Sequence, residues 1–481
     1  GIHGIELWAH EMTNDSTWMV ADINNGSNSY SSPSAAIGTR LFFSANDGIH
    51  GYELWAHEMT NDTTWMVADL NSGSDDSYGG RDGIAVGSRY YFGANDGGSG
   101  GDLWVYEMTN DTIWNLPGSM EGAEQFISMG SRIYFRGFSG GYSNIWTHET
   151  TNDTTWKVTD ASNDGLWGVA FMNHKRPEKI TKVDSKILFI IANSTSLSLW
   201  IHDTTNDTTW DSGLIDIDWY ELGIPFAHIG SRIFFRIDGN GAVSGGLNLG
   251  AFEISNETSW EVDDIVAGNI SNIGPSYIRV IGTQLIFKGW WESGSALWMH
   301  DPANIGSSGS GSSGSGSSGS GLTTYNGNGT TWQAFDLYGQ GSSSPMDLTP
   351  IGDVLYFSTG GWSLWAYNTS NQTEWEVHDF NPNGSDDIRE IFALGTRLYF
   401  EAKDDNNPST NLNTHLNKQL WTYETTNDTA WKLTNHTFVS QVGTHNNVAK
   451  YLFDGGFSLM GTRLYFTAKD SNGVQIWAHE T

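Results

Sequence analysis

Repetition constrains this chain more than any other feature. The phrase GTRLFF at Gly38 returns in altered form at Gly87, Gly130, Gly230, Gly282, Gly352, Gly395 and Gly461, and a degenerate copy, VDSKILFI, surrounds Lys186. A second phrase, ELWAHEMTNDTTWMVADL, surrounds Leu54. Its closing tryptophan recurs nine times, as Trp18, Trp65, Trp114, Trp156, Trp210, Trp260, Trp332, Trp375 and Trp431. Successive copies, the degenerate one included, stand 43 to 54 residues apart, with expanded intervals of 66 and 70. A period of this length falls in the range of propeller blades.

Each repeat reads as four short strands. Strand a is an apolar segment such as SAAIG. A Gly-Thr/Ser-Arg turn leads into strand b (LFFSA), a Gly/Asp/Asn loop into strand c (YELWAHE), and a TND turn into strand d (TTWMVADI). These segments are rich in β-branched and aromatic residues and are bounded by turn formers. No sustained period of 3.6 residues appears, so helix content is expected to be very low. The expected fold is all-β: one closed β-propeller spanning residues 1–481, with four-stranded antiparallel blades. A series of β-sandwiches or an open solenoid is the alternative. The count of b and d strands gives nine blades. The chain starts with strands c and d and ends with a, b and c, so the termini are expected to build one blade jointly. That leaves one strand c too many, near Leu7 or Ile476, and ten blades is the alternative if the surplus marks a missing half-blade.

The phrases ELWAHEMTNDTTWMVADI and FFSANDGIHGYELW resemble the ELW-type repeats of secreted prokaryotic proteins, and the TNDTTW version is similar to repeats in surface proteins of marine archaea. The resemblance covers nearly the whole chain. It implies an extracellular propeller-like repeat protein and brings no catalytic motif. One segment is foreign to the pattern: residues 306–321 read GSSGSGSSGSGSSGSG, flexible coil by composition. Leu54 to Trp65 spans 11 residues, whereas Leu297 to Trp332 spans 35, so this c–d turn carries 24 extra residues. Its regularity reads as an engineered linker that replaces a native insertion or joins two fragments, with a natural low-complexity loop as the alternative.

Composition narrows the function. With 23 Lys plus Arg against 55 Asp plus Glu, the formal net charge is −32, which repels nucleic acid and anionic membranes. There is no Cys, which excludes disulfides, thiolate metal sites and thiol catalysis. No run of 18 apolar residues is present, so no membrane insertion is expected. The chain begins at Gly1 without a signal peptide and reads as a processed or trimmed piece.

The two ends of such a ring differ. The a–b and c–d turns repeat closely, whereas the b–c and d–a loops are irregular, and variable loops on a repeat scaffold are where binding usually resides. Irregular-face aromatics Tyr142, Trp167, Trp219, Tyr220, Trp290, Trp291 and Trp362 are the candidate ligand-binding residues, suited to sugar stacking or to anchoring a protein, or else to capping the core. The LW tryptophans (Trp55, Trp104, Trp146, Trp200, Trp421) are expected between blades. Asn14, Asn61, Asn110, Asn152, Asn206, Asn256, Asn328, Asn371 and Asn427 each stand four residues before a strand-d Trp and each fit Asn-x-Ser/Thr. They are candidate N-glycan acceptors, although turn chemistry alone can generate the motif.

Arg at the start of strand b (Arg40, Arg89, Arg132, Arg232, Arg397, Arg463) and an acid at the end of strand c (Glu58, Glu107, Glu149, Asp203, Glu253, Glu480) are expected to pair within many blades, worth only about 0–1 kcal/mol per pair. The recurring strand-c His (His10, His57, His148, His202, His300) sit one per blade, too far apart to share an ion. No cofactor is expected. The oxygen ligands of Asn46–Gly48, Asn95–Gly97, Lys403–Asn406 and Lys469–Gly473 suit weak calcium binding, with ordinary turn chemistry as the alternative. The basic run His174–Lys179 reads as a solvated loop or an anchor for an acidic partner. The reading reached is an extracellular or cell-surface, non-catalytic binding or scaffold propeller, monomeric, that takes a glycan or a protein on its irregular face. The alternatives are a polysaccharide-active enzyme with carboxylates near the central channel, and a surface-layer or filament subunit joined through strand c at an edge.

Overall fold

In a computed structural model, the chain is a nine-bladed β-propeller without helices among the described residues. These are all residues except 1–2, 99–100, 117–120, 161–179, 193–196, 216–226, 239–246, 264–274, 292–293, 303–321, 325–329, 336–342, 361–362, 383–384, 404–415, 434–437, 440–456, 461 and 470–481. Blade 1 shows the plan: strands a (Ser32–Ile37), b (Arg40–Asn46), c (Tyr52–Glu58) and d (Thr63–Ala68), each paired antiparallel with the next. Blades 2 to 8 follow in chain order, with their b strands at Arg89–Asn95, Arg132–Ser139, Lys186–Ala192, Arg232–Asp238, Gln284–Trp291, Val354–Thr359 and Arg397–Ala402. The a strands of neighbouring blades touch one another, so strand a is the innermost of each blade.

Blade 9 closes the ring from both termini. Strands a (Phe457–Met460) and b (Arg463–Lys469) come from the C-terminal part, and c (Ile5–Glu11) and d (Ser16–Ala21) from the N-terminal part. Ile5 to Glu11 pair residue by residue with Lys469 to Arg463. The N-terminal copy therefore holds the strand-c place for which the sequence offers two candidates. The other copy, around Ile476, lies outside the described residues.

The turns explain the repeated letters. In the a–b turn the glycine has positive φ, as at Gly38 (59°) and Gly395 (61°). The middle residue of Asn-x-Ser/Thr is also left-handed in each described c–d turn, from Asp62 at 52° to Gln372 at 58°, a conformation that Asp tolerates better than most side chains. Blade 6 bears the Gly/Ser segment in its c–d turn and gains a fifth strand, Leu322–Thr324, at its outer edge on strand d.

The core is divided into nine apolar clusters, one for each blade interface. At the closing interfaces, Trp8, Leu464 and Phe466 pack with Tyr399 of blade 8, and Leu7, Ala9 and Tyr465 pack with Leu41 and Phe43 of blade 1. The LW tryptophans lie between blades as expected, each facing the preceding blade. Trp104, for example, shares a cluster with Phe42 and with the strand-d Trp65 of blade 1. A blade thus presents its two tryptophans to opposite neighbours, which is how one repeat comes to be complementary to itself.

Candidate functional site

The regular face is consumed by scaffold bonds. Cross-strand pairs of the expected kind form in six blades: Arg40–Glu58 (3.7 Å), Arg89–Glu107 (3.2 Å), Arg132–Glu149 (3.3 Å), Arg232–Glu253 (3.7 Å), Arg397–Glu424 (3.1 Å) and, across the closure, Arg463–Glu11 (3.3 Å), while Glu480 lies outside the described residues. The same arginines do more than the repeat implies. Arg40 also reaches Asp111 of blade 2 (2.6 Å), Arg89 reaches Asp153 of blade 3 (2.7 Å), and Arg132 reaches Asp207 of blade 4. Arg397 reaches Asp15 of blade 9 (2.9 Å), and Arg463 reaches Asp62 of blade 1 (3.3 Å). Each lies over the strand-d tryptophan of its own blade, as Arg40 does over Trp65 at 5.0 Å. In these five blades the arginine is therefore a staple directed to the following blade.

The recurring histidines are core groups. His10, His57, His148, His202 and His300 are buried, and each Nδ1 lies 2.8–3.0 Å from a strand-d threonine hydroxyl. Burial lowers their pKa values, to about 4 for His10 and His300. They remain neutral and take part in packing.

The turn asparagines are exposed in eight repeats; Asn328 lies outside the described residues. Asn61 Oδ1 accepts from the Thr63 N–H (3.2 Å) and hydroxyl (2.7 Å), and the same cap recurs at Asn14, Asn110, Asn152, Asn206, Asn256, Asn371 and Asn427. This Asx turn accounts for the Asn-x-Ser/Thr spacing on its own.

At the other end of the ring the repeat breaks down. Tyr142 is 39% exposed in the b–c hairpin of blade 3. Trp290 and Trp291 end strand b of blade 6, opposite Ser295 and Gly294. Trp167, Trp219, Tyr220 and Trp362 lie outside the described residues, as does the basic run 174–179. In the loop Asn46–Gly48, Asn46 Oδ1 accepts from the Gly48 N–H and Asp47 Oδ1 from the Ile49 and His50 N–H groups, the capping pattern of a tight turn.

A cavity of about 510 Å³ lies against the innermost strands of blades 6, 7 and 8. Its lining includes Tyr277, Arg279, Asp347, Glu390 and Phe392. Strand a carries a bulge in all three blades, and at each bulge a non-glycine residue takes positive φ: Tyr277 (55°), Asp347 (54°) and Glu390 (57°). Asp347 Oδ2 accepts from the Glu390 N–H at 3.2 Å, which ties blade 7 to blade 8. Backbone strain and bulges concentrate at functional sites. Sequence reasoning missed these residues because strand a is the segment that repeats least.

The d–a loops form a second non-repeating group. Tyr30 and Tyr78 occupy equivalent places in successive loops, and both are 43% exposed. The Tyr78 ring lies 6.0 Å from that of Tyr52 at 21°, and the Arg81 guanidinium sits 4.5 Å from the Tyr78 ring and 5.0 Å from that of Tyr52.

No protein-family model matches the chain, and no curated protein matches it. Among solved structures it is similar at 10% identity to one from a structural and mechanistic analysis of two prolyl endopeptidases, with a TM-score of 0.42 over 84% of this chain and 49% of that one. The chain thus spans about half the length of that endopeptidase. It is similar at 8% identity to oligogalacturonate lyase in complex with manganese, with a TM-score of 0.37 over 80% of this chain and 86% of that one. It is also similar at 10% identity to the β-propeller domain of the Trilobed protease from Pyrococcus furiosus, with a TM-score of 0.36 over 75% of this chain and 99% of that one. At such identities the likeness is one of fold.

Proposed function

We propose that this propeller is a non-catalytic binding module of the cell exterior that takes a glycan or a protein on its irregular face. One observation carries the reading. The regular face spends its recurring polar side chains on caps and staples, while the non-repeating aromatic and charged residues gather on strand a and in the d–a and b–c loops. Variation confined to one face of a rigid repeat scaffold is the arrangement that binding proteins use. The test is amide hydrogen exchange with and without a bound polysaccharide or partner, read loop by loop.

The cleft of blades 6 to 8 supports a second reading, a polysaccharide-active enzyme with Asp347 and Glu390 as its carboxylates. Two carboxyl groups at one cleft are the usual equipment for glycoside hydrolysis. Incubating the protein with a soluble polysaccharide distinguishes the two. The binding reading predicts no new reducing ends. The enzyme reading predicts their steady release, lost on Asp347→Asn or Glu390→Gln.

A further inference from the structure

Few large apolar side chains are exposed among the described residues, and three of them, Tyr30, Ile49 and Tyr78, come from the loops at the irregular end of blade 1. Two of these are in conformations that tyrosine adopts rarely, with φ of 46° at Tyr30 and 55° at Tyr78. The loop itself imposes the left-handed turn. Ser344 (41°) and Asp387 (48°) fill the same place in the loops that enter blades 7 and 8. Small polar residues suit it, and Asp387 also pairs there with Arg389 and Lys403. A bulky ring at this position is strained, and with 43% of each residue exposed, burial offsets that strain only in part. Backbone strain of this kind, held by the surrounding structure, is a pointer to function.

The surrounding structure does hold it. Ser29 and Tyr30 donate backbone N–H groups to the Ile5 carbonyl (2.9 and 3.2 Å), and Ser77 and Tyr78 donate to the Tyr52 carbonyl (3.0 and 2.9 Å). Beneath each loop lies a fully buried carboxyl group. Glu6 accepts from the Ile23 and Ser29 N–H groups, and Glu53 accepts from the Leu70 and Ser77 N–H groups and the Ser77 hydroxyl. Asn28 Nδ2 donates to the Tyr30 hydroxyl at 2.9 Å. The two rings are thus fixed in advance on rigid loops, with Tyr52 and Arg81 stacked beside Tyr78, so little freedom is lost on binding.

We propose that Tyr30, Tyr52, Tyr78 and Arg81 form a stacking platform for the sugar rings of a neutral polysaccharide. The inference rests on the binding reading above and names its ligand class. Flat phenol faces offer the apolar contact that a pyranose ring presents, and their hydroxyls and the guanidinium offer hydrogen bonds at the rim. A patch this small suits a few sugar units rather than a protein interface of about 800 Å² per partner. The net charge of −32 disfavours an acidic polymer.

The test is affinity electrophoresis through native gels containing hydroxyethyl cellulose, laminarin or polygalacturonate. Wild type is expected to be retarded by at least one of the two neutral polymers and not by polygalacturonate. The double variant Tyr30→Asn, Tyr78→Asn is expected to lose at least ~10-fold in affinity. Asn accepts the left-handed conformation, so this variant melts at or above the wild-type temperature, and a loss of binding is then not a loss of fold. The proposal is overturned if neither neutral polymer retards the wild type, or if the double variant binds as the wild type does. In the latter case the binding reading stands and only the platform fails. Exchange protection confined to the regular face overturns the binding reading itself.

Discussion

A chain lacking residues 1–21 is expected to lose the closed ring. Those residues supply strands c and d of blade 9, and their removal leaves Arg463–Lys469 as an open edge. Two of the nine interfaces are stripped, because Trp8 packs towards blade 8 while Leu7, Ala9, Trp18 and Val20 pack towards blade 1. Withdrawing a large apolar side chain from a core costs about 1.5–3 kcal/mol. Leu7, Trp8, Trp18 and Val20 together therefore approach the about 5–15 kcal/mol that usually separates folded from unfolded chains. The exposed edge is also a template for strand pairing with another chain. Sedimentation and thermal melting check this: self-association and a lost or much lowered transition are expected. A monomer with the wild-type melting temperature would contradict it, and would mean that Val474–Glu480, with the same LW-type pattern, had taken the vacant slot.

Acid is expected to destabilise the ring steeply, but only below about pH 4.5. Seven of the carboxylates that end strand c are capped in the same way: Glu11, Glu58, Glu107, Glu149, Asp203, Glu253 and Glu424. Each accepts from the N–H and hydroxyl of the residue two further on, as Glu58 does from Thr60 at 3.3 and 3.0 Å, and each pairs with an Arg or Lys. For the six glutamates, partial burial raises the pKa, but hydrogen bonds to serine and threonine and the paired arginine outweigh it; for Asp203 the hydrogen bonds of Thr205 and Lys186 lead. All seven end below their usual values, Glu107 and Asp203 at about 2. A depressed folded pKa gives stability that is present above the unfolded value near 4 and lost as pH falls towards 2. At about 1 kcal/mol for each cap, the repeat makes the loss on the order of 7 kcal/mol.

Between pH 7 and 4.5 two opposite effects meet. The buried histidines resist protonation and cost stability as pH falls below about 6.5. Burial raises Glu6 and Asp386 to about 7, so the folded state gains protons there and stability rises as pH falls. Acid also relieves the repulsion of a strongly anionic chain, although 0.1 M salt screens it beyond about 10 Å. Melting followed against pH at that salt should show a shallow stretch to about 4.5 and a steep fall below it. A steep fall already complete by pH 5 would mean that the histidines dominate instead.

The fold was legible because each blade states its own chemistry: a glycine where φ is positive, alternating aromatics on b and c, Asn-Asp at a left-handed turn. Pairing within a blade follows from neighbours in sequence, and so Arg40–Glu58 and its equivalents could be foreseen. Arg40–Asp111 could not, because the partners lie 71 residues apart and meet only once two blades dock. The aromatic candidates chosen on sequence were large residues in long loops, and most lie outside the described residues. Tyr30 and Tyr78 escaped notice because short stretches of Asn, Gly, Ser and Asp surround them, which read as ordinary turns. Only the backbone reveals that both are strained, and only the packed loops reveal that Tyr52 and Arg81 complete the group.

Hydrogen exchange on the protein with a bound polysaccharide or partner tests the division of labour between the two faces most directly. Protection is expected in the d–a and b–c loops, including residues 22–31 and 69–82, with the Asn-x-Ser/Thr turns unchanged. Protection confined to those turns, or spread evenly over both faces, would contradict it.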